Sequence, residues 1–169
     1  MNRLYVLAIV CFGLLTSTLW AEQVESAPRK AERVVRLVVP DMPQGAPVRH
    51  AIKRLTDVLK KRGVHLVPHV SGRTSKVLIA GVSSKSLMAK LGVAEGEIKL
   101  PEQPESLAVK RFNKKDEKRL VVIGYDDVGL MYALLDIADY VESLPDDKVA
   151  DWFETVPEVS EAPCNKMRR

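Results

Sequence analysis

Apolar positions along this chain fall into short β-branched runs and longer stretches with helical spacing. Arg33-Val34-Val35-Arg36-Leu37-Val38-Val39 is β-branched and apolar, which predicts a strand stopped by Pro40. Val48, Ile52, Leu55, Val58 and Leu59 fall on one face of a helix running from about Ala46 to Lys61. Gly63 stands where a C-terminal cap belongs, and Lys60 and Lys61 suit the negative end of the helix. Val64 to Val70 predicts a second strand, placed at an edge by Pro68. Lys76 to Gly81 predicts a buried third strand, and Ser83 or Ser84 caps a short helix ending at Gly92. Glu105 to Phe112 alternates, with Leu107 and Val109 on one side and Ala108, Lys110 and Phe112 on the other. Asn113 to Lys118 is a charged hairpin tip, and Arg119 to Tyr125 is the partner strand. The last helix spans about Val128 to Glu142, with Leu130, Leu134, Ile137 and Val141 as its buried stripe.

This order, β-α-β-β-α-β-β-α, predicts an α+β fold. A mixed sheet of about five strands with two main helices on one face buries these stripes most economically. The expected organisation is a signal peptide over 1–21, a linker over 22–32, the folded domain over 33–142 and a tail over 143–169. Within the tail, Trp152 and Phe153 are expected to pack on the domain, and Thr155 to Cys164, with Pro157 and Pro163, reads as an exit linker.

The N-terminus has the form of a secretion signal. Met1-Asn2-Arg3 is a short positive region, Leu4 to Leu19 carries no charge, and Ala21 is the best cleavage position. An uncleaved anchor is the alternative, although a spanning helix needs about 20 apolar residues. The expected location is therefore secreted or periplasmic, without stable membrane anchoring after cleavage. Cleavage removes Arg3, so 26 basic residues become 25 against 22 acidic ones, and the net charge falls from +4 to +3. That interspersed, mild balance does not call for nucleic acid. Aromatics are 5% of the chain, too sparse for a base-stacking surface. Cys11 leaves with the signal and Cys164 remains alone, so no internal disulfide is expected.

The residues suggest little chemistry. His65 and His69 share one face of a strand and His50 lies on the first helix, but no acid or cysteine completes a zinc spacing, and no metal is expected. Asp126 and Asp127 are adjacent acids at a strand-to-helix corner. Capping is their natural role there, because neighbouring residues point apart, whereas glycosidase carboxylates face each other across a sugar about 5–9.5 Å apart. Gly124-Tyr125-Asp126-Asp127-Val128-Gly129 lacks the Lys-Ser/Thr of a phosphate loop, and no G-x-S-x-G elbow occurs. No cofactor is expected.

The stretch Leu120 to Tyr140, a strand, the Gly-Tyr-Asp-Asp corner and a helix reading Gly129-Leu130-Met131-Tyr132-Ala133-Leu134-Leu135-Asp136-Ile137-Ala138, resembles a known module. So do Glu105-Ser106-Leu107-Ala108-Val109-Lys110-Arg111 and the helix from Pro47 to Lys61 followed by Gly63. The module is the non-catalytic N-terminal domain of secreted glycoside hydrolases, family-67 α-glucuronidases and family-20 β-N-acetylhexosaminidases. The resemblance covers about Val34 to Val141. It implies an accessory domain or fragment with a structural or docking role, standing before a TIM barrel that holds the catalytic Asp-Glu pair. The 148 residues left after position 21 are too few for such a barrel, which takes about 250 residues. No catalytic residue carries over, so the chain alone is not expected to be an enzyme. Val156 to Arg169 resembles the lead-in to the barrel. The implied partner is a glycosidase barrel or a second copy, met through an apolar face near Trp152, Phe153, Val156 and Val159. The alternative is a stand-alone secreted module that binds polysaccharide or a protein.

Overall fold

The computed structural model describes residues 33–40, 45–68, 75–94, 96–114 and 116–163. The expected signal and linker, His69 and Cys164 lie outside the described residues. The elements are β1 (Arg33–Val38), α1 (Ala46–Lys61), β2 (Val64–Val67), β3 (Lys76–Val82), α2 (Lys85–Leu91), β4 (Leu107–Lys114), β5 (Glu117–Gly124) and α3 (Asp127–Ser143). A 3-10 turn (Val149–Asp151), the single-turn α4 (Trp152–Thr155) and β6 (Val159–Glu161) follow.

One mixed sheet of six strands holds the domain, in the order β2-β1-β3-β5-β4-β6. The β1, β2, β3 and β5 strands are parallel, and β4 runs antiparallel to both β5 and β6. The all-apolar run in β3 is explained by its central place, since a parallel strand covered on both faces needs no polar alternation. Pro68 follows β2, which is an edge strand, so no ladder bond needs the missing N–H.

Side-chain alternation divides the sheet into two faces. Val35, Leu78, Ala80, Leu107, Val109, Leu120 and Val122 join the stripes of α1 and α3 in the main core. The two long helices lie side by side on this face. Arg54 of α1 ties them at the surface, reaching Asp139 at 3.0 Å and Glu142 at 2.7 Å on α3. Val77, Ile79, Val121 and Ile123 point to the other face, where Leu87 and Leu91 of α2 cover them. The short helix is thus a third layer, small because it shields only the central strands.

The sixth strand is a departure from the expected exit linker. Val159 to Glu161 adds to the free edge of β4, with Val159 opposite Val109 and Glu161 opposite Leu107. Its three residues carry too little alternation to read as a strand, and the free ladder of β4 supplies the partner.

Candidate functional site

The Gly-Tyr-Asp-Asp corner was the first place to look for paired acids. Asp126 is the N-cap of α3, and its Oδ1 accepts from the Gly129 amide at 2.8 Å. Its Oδ2 accepts from the Glu105 amide at 3.1 Å, on the segment entering β4. The Tyr125 amide donates to the Ser106 carbonyl at 2.8 Å, which makes a second tie between the same two segments. Glu105 has φ 64°, a left-handed conformation that a side chain adopts at a cost, and the Asp126 bond helps hold it. Both glycines are explained by close approach. A Cβ on Gly129 would collide with the Ser106 carbonyl oxygen, and one on Gly124 would collide with the Leu130 amide. Asp127 does not face Asp126 across a cleft; its carboxylate lies against Gly45, the N-cap of α1, where it suits the positive end of that helix. The corner is a structural clamp joining β4, β5 and two helix starts.

His50 is exposed on α1 and His65 is half-buried on the edge strand β2. Among the described residues, no three metal-ligating side chains come together.

The four side chains expected near an exposed apolar face are placed otherwise. Trp152, Phe153 and Val156 are buried in the main core, each 2% exposed or less, and Val159 is half-buried against it. The segment turns back onto the sheet and satisfies its own apolar surface, which packs Trp152 and Phe153 on the domain. The rings of Trp152 and Phe153 meet edge to face at 5.4 Å, with Lys76 above the Phe153 ring at 5.7 Å. Lys76 and Lys118 both reach Glu154 at 3.0 Å. Partial burial pushes the Glu154 carboxyl up, but the two lysines outweigh it and hold the group below its ordinary range. Arg111 adds a bond to the Val156 carbonyl.

The structure also brings together acids that sequence reading missed. Asp136 is held above the usual carboxylate range, first by partial withdrawal from water, then by the charges of Glu161 and Asp139. Asp136 and Glu161 are both exposed at the residue level, so the effect is small. The pairing depends on β6, and only a recognised β6 would have revealed it.

A groove of about 770 Å³ opens at the carboxyl ends of β3 and β5. Ser83, Lys85, Met88, Ile98, Leu100, Glu102 and Tyr125 are among the residues that line it. At 42% exposure, Tyr125 is the exposed large apolar side chain among the described residues. Open α/β sheets generally take ligands at the carboxyl ends of parallel strands. Sequence reading passed over the groove because its lining combines the segment after β3 with Tyr125 after β5, which are distant in sequence.

No family model matches the sequence, and no curated protein is found similar to it. Solved structures do resemble it, with 21 matching chains. One is a GH138 glycoside hydrolase targeting the pectin rhamnogalacturonan II, with 17% identity and a TM-score of 0.48. The match covers 76% of this chain and 12% of that enzyme, so this chain spans only a small part of its length.

Proposed function

We propose that this chain is a secreted, non-catalytic accessory domain of a polysaccharide-degrading glycoside hydrolase, of the α-glucuronidase or β-hexosaminidase type, with a structural or docking role. One observation carries the reading: Asp126 and Asp127, the acids of the segment that most resembles such modules, are spent on holding the corner together. Glycoside hydrolysis needs two carboxylates flanking the scissile bond, and this pair is turned to other work. Residues 1–21 act as the export signal in this proposal, which puts the domain where polysaccharide is met. A second reading, a polysaccharide-binding module in its own right, is favoured by the groove beside Tyr125.

The test is turnover by the purified chain on aryl glucuronides and aryl N-acetylglucosaminides. None is expected. Turnover that disappears in folded Asp126→Asn or Asp127→Asn variants would overturn the proposal.

A further inference from the structure

Most cationic side chains that reach across elements are committed: Arg36 to Glu117, Arg54 to Asp139 and Glu142, Arg62 to Asp146, and Lys76 and Lys118 to Glu154. The groove at the carboxyl ends of β3 and β5 differs. Ser84 spends its hydroxyl on the Leu87 amide as the N-cap of α2. Four other polar groups remain around the opening: the hydroxyls of Ser83 and Tyr125, the ammonium of Lys85 and the carboxylate of Glu102. Among the described residues they serve no capping, hairpin or ion-pair role, and they share the groove lining with Met88, Ile98 and Leu100. The Tyr125 backbone is held by its amide bond to Ser106, and its ring is exposed beside the groove.

We propose that this groove binds a neutral oligosaccharide segment, with one sugar ring stacked on Tyr125. The inference rests on the accessory-domain reading above and gives that domain a ligand. An exposed ring with an apolar body and a polar tip suits a sugar, which has an apolar C–H face and hydroxyls at its rim. Glu102 accepts from hydroxyls, Lys85 donates to them, and Ser83 does both. One cation balanced by one anion gives no net charge to attract a phosphate or a polyuronate. A protein partner fits less well, because Tyr125 alone is fully presented while Met88, Ile98 and Leu100 are half-buried. The position also suits a processing enzyme. Glu161 at the end of β6 pairs with Leu107, and Leu107 pairs with Gly124, so β6 ends at the same end of the sheet where the groove opens. A polymer held there lies on the side from which the chain continues.

The experiment is a titration of the full chain, followed by amide NMR, with cellotetraose, xylotetraose and chitotetraose, and with tetragalacturonate as the charged comparison. Saturable shifts confined to residues 83–88, 96–102 and 125 are expected with at least one neutral member. Tyr125→Ala should weaken that binding about fivefold or more, while Tyr125→Phe keeps most of it. Glu102→Gln should also weaken it several-fold. Because Tyr125 and Glu102 are exposed, these variants should keep the wild-type spectrum elsewhere. Silence from every neutral member up to about 10 mM, a limit that excludes millimolar affinity, would overturn the proposal. So would equal binding by Tyr125→Ala, or tighter binding of tetragalacturonate. Such failures leave the accessory-domain reading standing, since that reading is tested separately by turnover.

Discussion

Replacing Asp126 by alanine removes two hydrogen bonds with one change, and their cost can be worked from the structure. The first bond caps α3 through the Gly129 amide at 2.8 Å, and losing an N-cap costs about 0.5–2 kcal/mol. The second, to the Glu105 amide at 3.1 Å, leaves a half-buried donor unpaired, and full burial would make that loss about 1–3 kcal/mol. Glu105 is half-exposed, so the lower end applies, and the sum is about 1.5–3 kcal/mol. Asp126→Asn keeps a single acceptor oxygen and should lose about half as much. Urea denaturation followed by tryptophan fluorescence is the assay, because Trp152 is buried in the main core. With a slope of about 1–3 kcal/mol per molar, Asp126→Ala should lower the midpoint by about 0.5–3 M. A loss below about 0.5 kcal/mol, the range of an ordinary surface change, would refute the clamp and reopen the corner as a functional site.

Other outcomes follow from the same coordinates. Leu134 is fully buried, so Leu134→Ala should cost about 2–5 kcal/mol, while exposed Lys60→Ala should change stability by less than about 0.5 kcal/mol; equal small losses would mean α3 is not packed as described. Trp152→Ala should cost about 3–5 kcal/mol by denaturation, and a neutral result would show that the segment after α3 does not complete the core. Asp136→Asn should raise the melting temperature slightly at pH 7. The folded carboxyl is raised above its ordinary value, so its penalty is full above the folded pKa and disappears as pH falls below the unfolded value of about 4; an equal gain at pH 3 would sink this explanation.

What could be read in advance follows from the length of each pattern. The sixteen residues of α1 repeat their apolar stripe over four turns, and the expected bounds, Ala46 to Lys61, are those observed. The capping role of Asp126 followed from its place between a strand and a helix. Its bond to Glu105 did not, because it joins residues 21 apart and depends on β4 and β5 being neighbours. β2 stops at Val67, short of the expected Val70, because Pro68 has no amide to extend the ladder. Trp152, Phe153 and Val156 were expected near an open face, because a short turn with two large apolar residues does not say which surface it meets. Burial of their own apolar surface decides it, and Arg111, Lys76 and Lys118 fasten that segment to three different strand positions. The groove was illegible for the same reason: Lys85, Glu102 and Tyr125 share no spacing, only one end of the sheet.

The direction of β6 sets how this domain can be joined to others. β1 enters one strand in from the β2 edge of the sheet, and β6, antiparallel to β4 and therefore parallel to β5 and β1, leaves at the opposite edge. Four inter-strand steps separate β1 from β6 in the sheet order, about 19 Å sideways, and a seven-residue strand adds about 23 Å lengthwise. Residues 33 and 161 are thus held roughly 30 Å apart by hydrogen-bonded ladders. Such a unit cannot be grafted into a surface loop of a host, which needs both ends close together. It can be strung in series, where it behaves as a stiff link: tension between its ends is carried along strands whose ladders must shear together rather than unzip one bond at a time.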